Sequence, residues 1–290
     1  MVACSDEAVD IALALGIQPI GICSARVAPD QAVVGEPFKP AAYFFDQEKL
    51  GAPVFVGSSL VPSIERLVAL KPDLIIITSD SDKAYDQLAQ VAPVLYLDMA
   101  TSRYWRETLG DVAKATGRTE QAEQFLSEYD ATVARAKAAL EPVVQARPTA
   151  LAIYSFSPEP QMMLFRQGTW LSKGLEQMGF TIAEPEGVEW GPEGWSIVST
   201  EFLSNVRADL IVVLRSPGAD GAIPRFPMDD ITDKLSGTHV VLQPLDPTRA
   251  SSAPLTDKFV IEQYEQLLGG NATLPTQRAL PVAARDGGTR

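Results

Sequence analysis

An α/β fold of two related lobes on parallel sheets, separated by a long helical stretch, is predicted by three observations. Short apolar runs alternate with segments of helical period, the pattern of buried strands joined by crossover helices. A length of 290 residues suits about two domains, each able to bury its own core. A stretch of the first half also recurs in the second.

Taken in order, Val2 to Cys4 reads as a strand, Asp6 to Leu15 as a helix stopped by Gly16, and Gln18 to Ile22 as a second strand. Val54 to Val56 is a third strand, after which Gly57-Ser58-Ser59 turns the chain. Pro62 to Leu70 is helical, with Ile64, Leu67 and Val68 on one face and Glu65 off it; Pro72 stops it before the strand Leu74 to Thr78. A helix from Ala84 to Val91 ends at Pro93, and the strand Val94 to Leu97 follows. From Thr101 to Val143 there is no strand signal. Phe125, Leu126, Tyr129, Val133 and Leu140 keep helical spacing, with Gly110 and Gly117 as interior breakers and Pro142 and Pro148 bracketing the exit. The alternation then resumes: strand Ala150 to Tyr154, helix Trp170 to Met178, strand Phe180 to Ala183, helix Thr200 to Val206, strands Leu210 to Leu214 and His239 to Leu242, and a last helix Leu255 to Leu268. The expected division is therefore a lobe over 1–100, a connecting helix over 101–146, a lobe over 147–270, and a tail over 271–290 that frays at its end.

Composition narrows the function. Hydrophobic residues make up 46% and charged residues 21%, the balance of an ordinary globular protein. Asp and Glu outnumber Lys and Arg, 37 to 24, for a net charge of −13 that repels phosphate backbones, so nucleic acid is not an expected partner. No apolar run is long enough to span a membrane, and the N-terminus lacks the basic and apolar regions of a signal peptide. Cys4 and Cys23 cannot form a zinc cluster alone; they read as buried thiols, with pairing open if the chain works outside the cytoplasm.

The recurrence is the most informative feature. Ser63 to Ile77 aligns without gaps to Ser199 to Val213, with 6 identical positions, and both copies read helix, basic residue, Asp-containing turn, buried strand. Each copy places a glutamate, Glu65 or Glu201, early in its helix. A carboxylate there offsets the helix dipole, and Ser63 and Ser199 are candidate caps. Matched positions in two lobes raise a second role, as docking charges.

The core Leu70-Lys71-Pro72-Asp73-Leu74-Ile75, with Ala14-Leu15-Gly16-Ile17-Gln18-Pro19-Ile20-Gly21, Tyr85 through Val94, and Trp105 opening the helical stretch, resembles the substrate-binding proteins of bacterial iron-siderophore and cobalamin ABC importers. The likeness covers most of residues 1–268. It implies two Rossmann-like lobes joined by one backbone helix, a ligand held in a cleft between them, and a periplasmic or membrane-anchored location. It also implies a two-subunit permease with its ATPase as partner, met by Glu65 and Glu201. The chain itself is expected to be a monomer and to need no cofactor, since iron arrives as an Fe3+-siderophore.

Ligands of open α/β sheets sit beyond the carboxyl ends of the strands. Loops assigned there carry Ser24, the Thr78-to-Lys83 segment, Ser155-Phe156, Phe165-Arg166-Gln167, Trp190 to Trp195, and Arg215-Ser216. Arg26, Arg166, Arg215 and Arg225, with Lys83, Tyr154 and Trp195, are the candidate ligand contacts. Guanidinium forks point to an anionic chelate. Lys83 stands where many siderophore binders have an arginine, which leaves a less anionic chelate open. Cobalamin or haem is the alternative ligand, although His239 is the sole histidine and falls in a strand. An enzyme is the rival class, but phosphate-binding and dinucleotide loops, a nucleophile elbow and a Cys/His cluster are all missing from the sequence.

Overall fold

The computed structural model describes residues 1–24, 32–38, 47–98, 105–155, 161–192, 194–199, 201–202, 206–215, 239–244 and 253–269. The chain divides into two compact units, Met1–Ala131 with Pro247–Phe259, and Thr132–Asp246 with Val260–Arg290.

In the first unit, strands Val2–Cys4 (β1), Gly21–Ile22 (β2), Val54–Phe55 (β3), Ile75–Ile77 (β6) and Val94–Tyr96 (β7) form a parallel sheet in the order β3-β2-β1-β6-β7. Val2 lies beside Gly21 on one side and Ile75 on the other. β1 and β6 are buried throughout, as expected of strands covered on both faces. Helix Asp6–Ala14 (α1) is started by Ser5, whose Oγ accepts the Ala8 N–H at 3.1 Å, and by Asp6 and Glu7 at the positive end of its dipole. The predicted turn at Gly57 is a small antiparallel hairpin, Gly57–Ser58 (β4) with Val61–Pro62 (β5). It feeds helix Ile64–Leu70 (α3), capped by Ser63. Ile64, Leu67 and Leu70 pack on a core with Val2, Cys4, Val56, Ile75 and Ile77.

In the second unit, strands Thr149–Ser155 (β8), Gln161–Phe165 (β9), Thr181–Ile182 (β10), Trp195–Ser199 (β11), Leu210–Arg215 (β12) and His239–Pro244 (β13) form a sheet ordered β11-β9-β8-β12-β13, with β10 beside the start of β8. β12 runs parallel between β8 and β13, as β6 runs parallel between β1 and β7. The repeat of sequence is thus a repeat of topology.

Two expectations are corrected. The helical stretch is two helices, Trp105–Thr116 (α5) and Thr119–Ala146 (α6), because Gly117 takes φ +67° and the Arg118 N–H returns to the Ala113 carbonyl. Pro142 lies inside α6, which ends at Ala146, so Pro142 and Pro148 bracket its exit as expected. The second sheet is mixed: β9 pairs antiparallel with both β8 and β11, and neither β9 nor β11 is among the expected strands. Of the helix expected from Thr200 to Val206, Glu201, Phe202 and Val206 are described, and the tail over 271–290 lies outside the described residues.

The thiols are also paired. Cys4 ends β1, Cys23 follows β2, and the two form a disulfide. The register that sets Ala3 opposite Ile22 brings them face to face, a juxtaposition that no spacing in the sequence displays.

α5 and α6 are held by aromatic packing. Trp105, fully buried, meets Tyr129 and Phe125 edge-on at 4.9 and 5.9 Å, and its Nε1–H donates to Asp257 at 2.6 Å. The Arg106 guanidinium covers the Trp105 and Tyr129 rings and pairs with Asp130.

Candidate functional site

In the first sheet the strand order reverses between β1 and β6, the point beyond whose carboxyl ends a ligand crevice is expected in an open α/β sheet. Buried Ser5, Ser24 and Thr78 lie there. A 3₁₀ turn, Ser79–Ala84, follows β6. It is pinned to the end of the β4 strand: the Ser81 hydroxyl donates to the Ser59 carbonyl at 2.7 Å, and the Ser59 hydroxyl donates to Asp80 at 3.2 Å. Lys83 is exposed at the far end of this turn.

Beside it, Tyr85 and Tyr96 expose 42% and 40% of their surface at the same edge. Partial burial pushes the Tyr96 phenol up, and its hydrogen bond to Asp82, with the charges of Asp82 and Asp98, pushes it the same way. The phenol therefore stays protonated and donates to Asp82. Around Lys83 the edge carries Asp80, Asp82 and Asp98, so its described charge is acidic. Arg26, expected on the loop after β2, lies outside the described residues.

In the second unit, Tyr154 is half-buried near the carboxyl end of β8, and the backbone of Arg215 ends β12 directly opposite Ser155. These two meet the expectation of a carboxyl-edge position. Arg166 and Trp195 do not. Phe165 pairs with Ala152 and Trp195 pairs with Phe165, which sets Arg166 level with the first half of β8. That is about four residues back along the strand from Ser155, roughly 13 Å. The antiparallel return of β9 is the reason. Arg166 is also tied locally, since its N–H donates to the Gly194 carbonyl at 3.0 Å and its side chain lies over the Gly194 Cα. Trp190 packs against the core of Leu151, Ile153, Leu164 and Ile211. The apolar run Gln161–Phe165 and the alternation in Trp195–Ser199 were the signals available for these strands. Phe156, Ser216 and Arg225 lie outside the described residues.

Both glutamates of the repeat are exposed, Glu65 in the first turn of α3 and Glu201 just after β11. No helix among the described residues is long and apolar enough to cross a membrane, and none of their His, Cys, Asp and Glu side chains form a group of three or more able to hold a metal. A groove of about 700 Å³ in the first unit, lined by Leu13, Gly16, Gln18, Lys49, Gln124 and Phe125, opens where α1 ends, at the opposite edge of the sheet from the crevice.

Both units thus have parallel central strands, and each carries an exposed glutamate of the repeat. The chain belongs to the periplasmic binding protein family, which it matches over residues 2–231. It is 30% identical over 168 residues to the ferric enterobactin-binding periplasmic protein FepB of Escherichia coli O6:H1, a match covering 56% of this chain and 49% of that one. It is 27% identical over 173 residues to the iron(3+)-hydroxamate-binding protein FhuD of Bacillus subtilis, covering 56% and 52%. The chain thus spans about half the length of these relatives. In fold it is similar to Staphylococcus aureus SirA complexed with staphyloferrin B, with a TM-score of 0.69 at 21% identity over 91% of each chain.

Proposed function

We propose that this protein captures a ferric siderophore or similar iron chelate and delivers it to the two-subunit permease of an ABC importer, whose ATPase supplies the energy. The observation that carries the reading is the set of parallel central strands in both sheets, with Lys83, Tyr154 and the Arg215 backbone at their carboxyl edges, in a chain of the periplasmic binding protein family whose relatives bear ferric-chelate names. Lys83, Tyr154 and Arg215 contact the chelate from those edges, with Arg26 and Arg225 as further cations. The arginines hold its anionic oxygens in bidentate pairs. Iron is cargo; the protein needs no resident cofactor. It acts as a monomer outside the cytoplasm, either free or lipid-anchored, and the Cys4–Cys23 disulfide suits an oxidising compartment. Glu65 and Glu201 meet cations on the permease.

The test is a titration followed by tryptophan fluorescence with ferric citrate, a ferric hydroxamate, a ferric catecholate, cobalamin and haem, each beside its iron-free form where one exists. Saturable quenching by one ferric chelate is expected. Response to cobalamin or haem alone would replace the ligand, and silence across the panel would refute the reading. Glu65→Arg should abolish chelate uptake in cells with chelate affinity intact.

A further inference from the structure

The recurrence extends beyond its helices. Carried two residues upstream, the same gapless alignment sets Val61 against Ile197, each four positions before its glutamate. Both are β-branched, both lie in a strand that leads straight to the glutamate, and both face solvent: Val61 is 76% exposed and Ile197 48%. Single exposed aliphatics are common on protein surfaces. A matched pair, at equivalent positions of two units that have otherwise diverged, is not accounted for by that.

The local structure holds these residues outward. In the first unit Ile64 packs into the core beside Glu65; in the second, Val198 and Phe202 pack into the core on either side of Glu201. These partly buried neighbours anchor the backbone on the core side, while the aliphatic and the glutamate lie on the exposed side. Around Glu65 the patch is larger, because Leu60 at the hairpin tip is 59% exposed and Val68, one helical turn beyond Glu65, is 55% exposed. A hairpin tip and an exposed helix face are places where polar residues ordinarily stand.

An aliphatic beside a carboxylate fits a partner that offers a cation next to an apolar surface. Covering the aliphatic expels water, and the ion pair is stronger in the drier surroundings. A chain of net charge −13 favours a cationic partner face. The duplication states something further: a surface presented once by each unit is suited to a partner that presents its complement twice, as two copies of one subunit do.

We infer that Val61 with Glu65, and Ile197 with Glu201, are two equivalent docking elements for a membrane permease built from two like subunits. This rests on the docking reading above and adds to it the apolar half of each contact.

The experiment measures binding of the full chain to the cognate permease–ATPase complex, purified in lipid nanodiscs, for wild type, Val61→Ser, Ile197→Ser, the double variant and Ile20→Ser. Ile20 is 43% exposed with no glutamate of the repeat beside it, and serves as control. Val61→Ser and Ile197→Ser should each weaken binding about tenfold, the worth of burying one aliphatic side chain, and the double variant more. Thermal melting and ferric-chelate titration should match wild type in all four. Unchanged permease binding in the double variant, with Glu65→Arg still disruptive, would overturn the inference and leave the proposed function standing. Equal loss in Ile20→Ser would overturn it as a nonspecific surface effect. A wild-type chain that binds no permease would sink both.

Discussion

Asp10 offers the sharpest test of how the sequence-distant C-terminal helix is attached. It is buried in the middle of α1. Its carboxylate caps helix Pro254–Leu268 (α8), 245 residues away: Oδ1 accepts the Leu255 N–H at 2.7 Å, and Oδ2 accepts the Thr256 N–H at 2.9 Å and the Thr256 hydroxyl at 2.8 Å. A carboxylate at a helix amino end also meets the positive end of its dipole. Asp10→Ala removes all three bonds and leaves two first-turn donors without their acceptor. Losing a capping residue costs about 0.5–2 kcal/mol, and each buried donor left unpaired about 1–3 kcal/mol. These terms overlap, so a loss of about 3–5 kcal/mol is expected, equivalent to a fall in Tm of roughly 10 °C for a unit of this size. Calorimetry of wild type, Asp10→Ala and Asp10→Asn measures it, with Asn expected to lie between because it keeps one acceptor. A Tm for Asp10→Ala within about 2 °C of wild type would refute the reasoning.

Two further outcomes are expected. At the start of β12, Asp209 accepts the Thr149 N–H and hydroxyl at 2.9 and 2.6 Å, and these bonds hold its carboxyl below the ordinary range. A carboxyl depressed in the folded state stabilises above its unfolded value of about 3.9 and loses that contribution as pH falls through the lower folded value. The Tm gap between wild type and Thr149→Val should therefore be widest near neutral pH and narrow below about pH 4; a gap independent of pH would refute it. At Gly194, φ is +81° and an added Cβ would stand 2.7 Å from Thr169 Cγ2. Gly194→Ala should cost about 1–3 kcal/mol of stability while chelate affinity is unchanged, and a large loss of affinity would return the Arg166 turn to the ligand site.

Much of the fold was legible because each element carries its own signal. The buried triplets of β1 and β6 are continuous apolar runs, Ser5 and Ser63 cap the helices that follow them, and Gly179 ends helix Trp170–Met178 in the left-handed conformation at φ +103°. The repeat needed only alignment. The candidate site was less legible, since a loop's place depends on strand direction. Arg166 and Trp195 look like carboxyl-edge residues while every strand is taken as parallel, and they leave that edge once β9 runs antiparallel.

The α/β class, the two-unit repeat and the pair of glutamates can be read along the chain, because periodicity, capping and self-similarity are properties of neighbours in sequence. The Cys4–Cys23 bond, the Asp10 cap on α8, the hydrogen bond from Trp105 to Asp257, and the exposure shared by Val61 and Ile197 emerge from the folded chain. Each of these depends on strand register, on which residues meet across distant segments, or on which side of an element faces solvent, and pairing and packing set all three.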